Sequence, residues 1–103
     1  MKSERKNKSL TIKGTKKTEY PLLYESIEDV MKAFNIDTIY VEVKKGTLKG
    51  KRINADAGWT IILTNKLIPT YCDRLRVTYE MLNEMTKDEI EAIIAHEFSH
   101  ILN

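Results

Sequence analysis

His96, Glu97 and His100 spell H-E-x-x-H within the segment "AHEFSHILN", residues 95–103. On a helical wheel of about 100° per residue, His100 falls roughly 40° from His96, on the same face one turn on. Two imidazoles in that relation can reach one metal ion. Glu97 falls near 100°, among Ile93, Ile90, Ile101 and Ile94, at about 60°, 120°, 140° and 160°. An ionised carboxylate inside an apolar arc is costly unless something compensates it. A zinc ion would do so and would give the carboxylate a chemical role, because the metal acidifies water and the glutamate takes the proton as general base. The bland alternative is two solvent-facing histidines beside a chance glutamate. The chain has only two histidines. Chance puts them four apart with a Glu in second place in roughly one sequence in 500, so the motif outweighs the bland reading.

The element that must carry these residues is sharply marked. Thr86 and Glu89 form a T-x-x-E capping box, and Met85 with Ile90 can close a hydrophobic staple across it. Asp88 and Glu89 suit the positive end of the helix dipole. No Gly or Pro interrupts residues 87–103, and no C-terminal cap ends them. Upstream, "YPLLYESIEDVMKAFNI" repeats Leu23, Ile27, Val30, Met31 and Phe34 at helical spacing. Pro21 fits a first helical position, while Ser26 with Asp29 offers a later start. "DTIYVEV" alternates, with Ile39, Val41 and Val43 on one face and Tyr40 and Glu42 on the other, as in a half-buried strand. "KKGTLKG" reads as a turn. "KRINADAG" and "WTIILTN" read as two extended segments punctuated by Gly58. "KLIPTYCD", with Pro69, reads as loop, "RLRVTY" as a short strand and "EMLNEM" as a helical turn. The expected fold is α+β: an N-terminal helix, a small three- to four-stranded sheet and a C-terminal helix carrying H-E-x-x-H.

At 103 residues the chain is one domain with a modest core. Hydrophobic residues at 42% and charged residues at 31% are ordinary for a globular protein. No apolar run approaches a membrane span of about 20 residues, so no membrane partner is expected. "MKSERKNKSL" is basic with no apolar stretch after it, so it is not expected to act as a secretory signal. Cys72 is alone, which excludes an internal disulfide and suits a reducing, cytoplasmic setting. Residues 1–17 hold seven basic groups (Lys2, Arg5, Lys6, Lys8, Lys13, Lys16, Lys17) against Glu4. The remainder, residues 18–103, holds ten basic and fourteen acidic groups, a net of −4. The basic arm could meet nucleic acid. Without interleaved aromatic residues to stack on bases, a solvated tail is the better reading.

The lead-in to the motif carries a family resemblance. "VTYEMLNEMTKDEIEAIIAHEFSHIL" resembles the run before H-E-x-x-H in the prenyl-protein and heat-shock membrane metallopeptidases. In those proteins a strand ending in V-T leads to a short leucine-rich helix, then T-x-D-E-L and the active-site helix. Val77-Thr78, Met81-Leu82 and Thr86 to Ile90 fill those places in register. "NADA", Asn54 to Ala57, is similar to that family's N-A-F-A segment, with Asp56 where Phe is usual. The absence of a membrane span brings the likeness closer to the minigluzincins, the small soluble, selecase-like versions of the same core. The resemblance spans roughly residues 20–103. It implies zinc held by His96 and His100, Glu97 as general base, and peptide or unfolded-protein substrates. It also implies that Asn54, Ala55, Asp56 and Ala57 line the cleft as an edge strand that binds an extended peptide through its main chain. Asp56 in place of the aromatic alters that wall.

The resemblance implies a third zinc ligand too, a Glu on a later helix. Within the chain, Glu89 lies about 10 Å down the axis from His96, too far to share a metal. Glu80 and Glu84 would have to fold back. The Asn103 carboxylate and a group from a second copy are alternatives. Cys72 reads better as an idle thiol than as a ligand. Trp59 reads as core or cleft wall. Tyr40, Tyr71 and Tyr79 are candidates to steady an oxyanion. A chain shortened from a slightly longer zinc endopeptidase is the expectation, with a concentration-dependent homo-oligomer forming through bared Phe98 and Leu102. The alternative is a metal- or peptide-binding module without turnover.

Overall fold

The computed structural model describes residues 10–102, with side chains through His100. The elements follow in the order β1 (Thr11–Lys13), α1 (Pro21–Phe34), β2 (Thr38–Lys44), β3 (Ala55–Leu63), β4 (Pro69–Thr78), α2 (Tyr79–Glu84) and α3 (Lys87–Leu102). The architecture is the expected α+β: four strands in the order β1-β2-β4-β3, with the helices packed on one face. β2 runs parallel to β1 and β4, and β3 is antiparallel to β4 at the sheet edge.

α1 begins at Pro21, where the missing N–H costs nothing. The later start at Ser26 is not used. That hydroxyl is buried and donates instead to Leu22 O at 2.8 Å. α1 ends at Asn35, whose left-handed backbone (φ 59°) turns the Ile36 N–H back to Met31 O. Leu23, Ile27, Val30 and Met31 are buried as the periodicity requires. β2 alternates as expected, with Ile39 and Val41 buried and Tyr40 and Glu42 exposed.

Two segments differ from the sequence reading. "ADAG" and "WTIIL" form one continuous strand through Gly58. At Gly58 an Arg74 guanidinium nitrogen lies 2.9 Å from where a β-carbon would stand, too close for a side chain without a shift. "PTYCD" is strand, not loop. Pro69 heads β4, paired with Leu63, the position where a strand tolerates proline. Residues 11–13, inside the stretch read as a basic arm, pair with β2. Gly14 follows them with φ +89°, and a side chain there would collide with the Val41 carbonyl.

The core joins α1 (Leu23, Ile27, Met31), the sheet (Ile39, Val41, Leu75, Val77) and α3 (Ile90, Ile94, Phe98). Near its N-terminal end α1 meets α3 at Ser26 and Lys87, and near its C-terminal end at Phe34 and Phe98, so the two helices run in the same direction. Lys87 Nζ joins the start of α3 to the middle of α1 through Asp29 at 3.0 Å, and pairs with Glu91 one turn on in its own helix at 3.0 Å.

Candidate metal centre

α3 begins as its sequence dictates. Thr86 N donates to Glu89 Oε1 at 2.9 Å, and Glu89 N donates to Thr86 Oγ1 at 3.2 Å, which is the reciprocal capping box. Burial of Ile90, Ile94 and Phe98 then fixes the rotation of the helix about its axis. That rotation leaves His96 and His100 exposed and Glu97 half-buried between them and the core. The apolar arc centres on Ile94 and Phe98, so Glu97 sits at its border rather than inside it.

The two imidazoles converge. His96 Nε2 and His100 Nε2 lie 3.0 Å apart, and the rings meet edge to face at 84°. Two nitrogens on one tetrahedral zinc, each at about 2.1 Å, stand about 3.4 Å apart. The donor set and its spacing therefore fit two ligands of one zinc ion. Without a metal the same pair makes an imidazole–imidazole hydrogen bond in which one Nε2 must carry the proton. Among the described residues no third His, Cys, Asp or Glu completes a metal-binding group. Glu80 and Glu84 are engaged elsewhere, with Arg52 at 2.9 and 2.8 Å. Cys72 is buried on β4, and burial, reinforced by Asp73, pushes its thiol upward in pKa. The Asn103 carboxylate lies outside the described residues.

α3 packs against β3, the edge strand that begins with the "NADA" segment. Asn54 forms the corner where that strand starts. Its backbone pairs with Thr78, its Nδ2 donates to Leu48 O at 2.8 Å, and its Oδ1 accepts from Ala55 N at 2.9 Å. Ala55 is buried beneath α3's apolar face and Ala57 half-buried beside it. Asp56 points to the opposite face of the sheet. There its carboxylate accepts from Arg76 at 2.6 Å, Lys49 at 2.9 Å and Arg74 at 3.4 Å. Burial alone would raise the Asp56 pKa, but the Arg76 and Lys49 contacts outweigh it and hold the carboxyl below its usual range. Sequence reasoning does not find Arg74 and Arg76 as its partners. Their signal is "RLRV", in which a buried Leu75 forces both arginines onto one face.

Tyr40 shares that far face and lies away from α3. Tyr71 stands on the helix side, opposite Ile61 and edge-on to Trp59 at 5.1 Å between ring centroids. Tyr79 opens α2, with the Lys45 ammonium 5.7 Å from its ring centroid. Trp59 is 61% exposed, so it is not part of the core. Phe98, expected as a bared surface, is fully buried against the core and near Phe34, with ring centroids 6.4 Å apart.

The last described helix of this α+β fold thus carries two exposed histidines one turn apart and a half-buried glutamate beside them. The family model described as peptidase family M48 matches residues 21–103, and the chain belongs to that family. M48 is a family of metallopeptidases that are generally zinc-dependent. Searches of curated proteins and of solved structures returned no match.

Proposed function

We propose that this chain is the catalytic core of a zinc-dependent endopeptidase of the minigluzincin type, acting on flexible segments of peptides or unfolded proteins in the cytoplasm. The observation that carries the reading is the 3.0 Å convergence of His96 and His100 with Glu97 between them on α3. His96 and His100 would hold the ion through their Nε2 atoms. Zinc held there supplies Lewis-acid chemistry, acidifying water and polarising a carbonyl. Glu97 receives the water's proton on its carboxylate and passes it to the leaving amine. Its place at the border of the apolar arc keeps the carboxylate near solvent on one side and in a less polar wall on the other. The free rim of β3 orients the substrate by adding an extended peptide as a fifth strand. With the Asn54 amide and the Asp56 carboxylate already bonded within the fold, that contact falls to the main chain. A third zinc ligand would have to come from outside the described residues.

The competing reading is a metal- or peptide-binding module without turnover, and the two-ligand site among the described residues favours it. Cleavage of a denatured, extended polypeptide by the zinc-supplemented protein separates the two. The peptidase reading expects hydrolysis that chelation stops and that Glu97→Ala abolishes while zinc binding persists. Zinc binding with no hydrolysis under any metal loading would leave the module reading.

A further inference from the structure

Asp73 is a half-buried carboxylate without a cation. It shares a β4 face with Tyr71 and Leu75, the face that carries the helices, since its cross-strand partner Ile39 is fully buried there. Asp29, Asp56, Glu80, Glu84 and Glu91 each have a basic group no more than 3.0 Å away. Among the described residues no hydrogen bond or ion pair engages the Asp73 side chain, and burial pushes its carboxyl above the usual carboxylate range. A carboxylate so placed is costly to the fold. It is complementary to a positive charge that the described residues do not supply.

Two open aromatic rings stand beside it. Asp73 pairs across the sheet with Trp59 on β3, and such partners hold their β-carbons about 4.5–5.5 Å apart. Trp59 and Tyr71 meet edge to face, with ring centroids 5.1 Å apart and planes at 76°, and both are exposed. The three side chains make a corner of two ring faces and a carboxylate. This corner lies beside the candidate metal centre. α1 turns directly into β2, so α1 and α3 both run against β2 and β4. Phe98 packs near Phe34 at that turn, and Ile39, early in β2, pairs with Asp73. The histidine-bearing end of α3 is therefore level with the Asp73–Trp59 pair. Lys87 faces α1 through Asp29. At about 100° per residue, His96 and His100 lie roughly 180° and 140° round the helix from Lys87. They look away from α1, toward β3, the edge strand against which α3 packs.

We propose that the corner formed by Trp59, Tyr71 and Asp73 binds an arginine side chain of a polypeptide ligand. The planar guanidinium stacks on an aromatic face and forks onto a carboxylate at the same time, which an ammonium does less well. The strand geometry favours a long side chain. A peptide added along the free rim of β3 stands two strand spacings, about 10 Å, from β4. Only the longest side chains cross that gap, lying along the Trp59 ring to reach Asp73. Charge complementarity selects this occupant over an apolar one, because an apolar cover would bury the Asp73 carboxylate further with no partner. That the arginine belongs to a substrate rests on the peptidase reading above; the cation site itself does not.

Trp59 is the only tryptophan, so its emission reports occupancy of the corner directly. The full chain, freed of metal by a chelator, is titrated with capped alanine–serine peptides that differ only at the central residue, arginine or glutamine. The arginine peptide should change the emission and bind about tenfold more tightly than the glutamine peptide, a gap that narrows with salt. Asp73→Asn should close the gap and leave the affinity for the glutamine peptide unchanged, with circular dichroism checking that the fold persists. Asp73→Arg should transfer the preference to a peptide with a central glutamate, which a merely distorted site would not do. No binding of the arginine peptide, equal affinity for the two peptides, or a preference that survives Asp73→Asn would each overturn the proposal. So would emission that shifts with protein concentration alone, which would assign the corner to a second copy. Hydrolysis by the zinc-loaded protein with no preference for arginine would remove the cation site and spare the peptidase reading. Arginine-selective binding without hydrolysis at any metal loading would do the reverse.

Discussion

His96 and His100 hold their Nε2 atoms 3.0 Å apart with ring planes nearly perpendicular, one turn apart on a helix anchored by its own capping box. Neither ring is held by the core, since both residues are exposed. Their convergence follows from the i, i+4 relation and from the burial of Ile94 and Phe98 behind them. We therefore expect His100→Ala to weaken zinc binding by at least tenfold with little loss of stability. Titration calorimetry against zinc, alongside urea unfolding, checks both halves. Equal zinc affinity in the variant would remove His100 from the site.

Glu97 is the residue whose loss should separate chemistry from binding. Glu97→Gln keeps the shape and hydrogen-bonding capacity of the side chain but cannot take a proton. It should lower the turnover of a metal-loaded, active form by about 10²- to 10⁴-fold. Zinc affinity should stay within a few-fold. A variant that retains turnover would move the base elsewhere.

Asp56 anchors three cations on the far face of the sheet, with Arg76 at 2.6 Å. Asp56→Asn should cost about 2 kcal/mol at neutral pH. Removing a largely buried charge strands its partners, and their partial exposure reduces the penalty. Because the folded pKa is lowered, this stabilisation is present above the ordinary carboxylate pKa of about 4 and is lost as pH falls through the folded value. Urea midpoints of wild type and variant should therefore differ at neutral pH and converge in acid. A constant gap across the series would mean the carboxylate charge is not what matters.

Phe98 fills the space between α3 and the end of α1, fully buried. Phe98→Ala should cost about 3–5 kcal/mol. For a chain of this size that approaches the total stability, so the variant should melt far below wild type or be partly unfolded at room temperature. A small shift in the thermal melt would show that α3 is held mainly by other contacts.

The capping box, the i, i+4 histidines, the alternation of β2 and the apolar stripe of α1 are all legible in the sequence. Each is set by contacts between residues within one turn or one strand, where local geometry leaves little choice. "PTYCD" reads as loop because proline marks a loop locally, while pairing with Leu63 places it harmlessly at the head of a strand. Gly58 looks like a break because only the cross-strand neighbour Arg74 shows what its missing side chain makes room for.

The sequence by itself therefore determined which residues can meet a metal and that one carboxylate stands beside them, since a helix of known start fixes their angles. Only the tertiary structure decided which face each residue serves. It buried Phe98, turned Asp56 away from α3 into a cluster of cations 18 to 20 residues downstream and 7 upstream, and left the apolar residues of the β3–β4 hairpin exposed. Those outcomes depend on strand register and on where the helices end over the sheet. They are set by side chains distant in sequence competing for the same buried area, and no local pattern records the result of that competition.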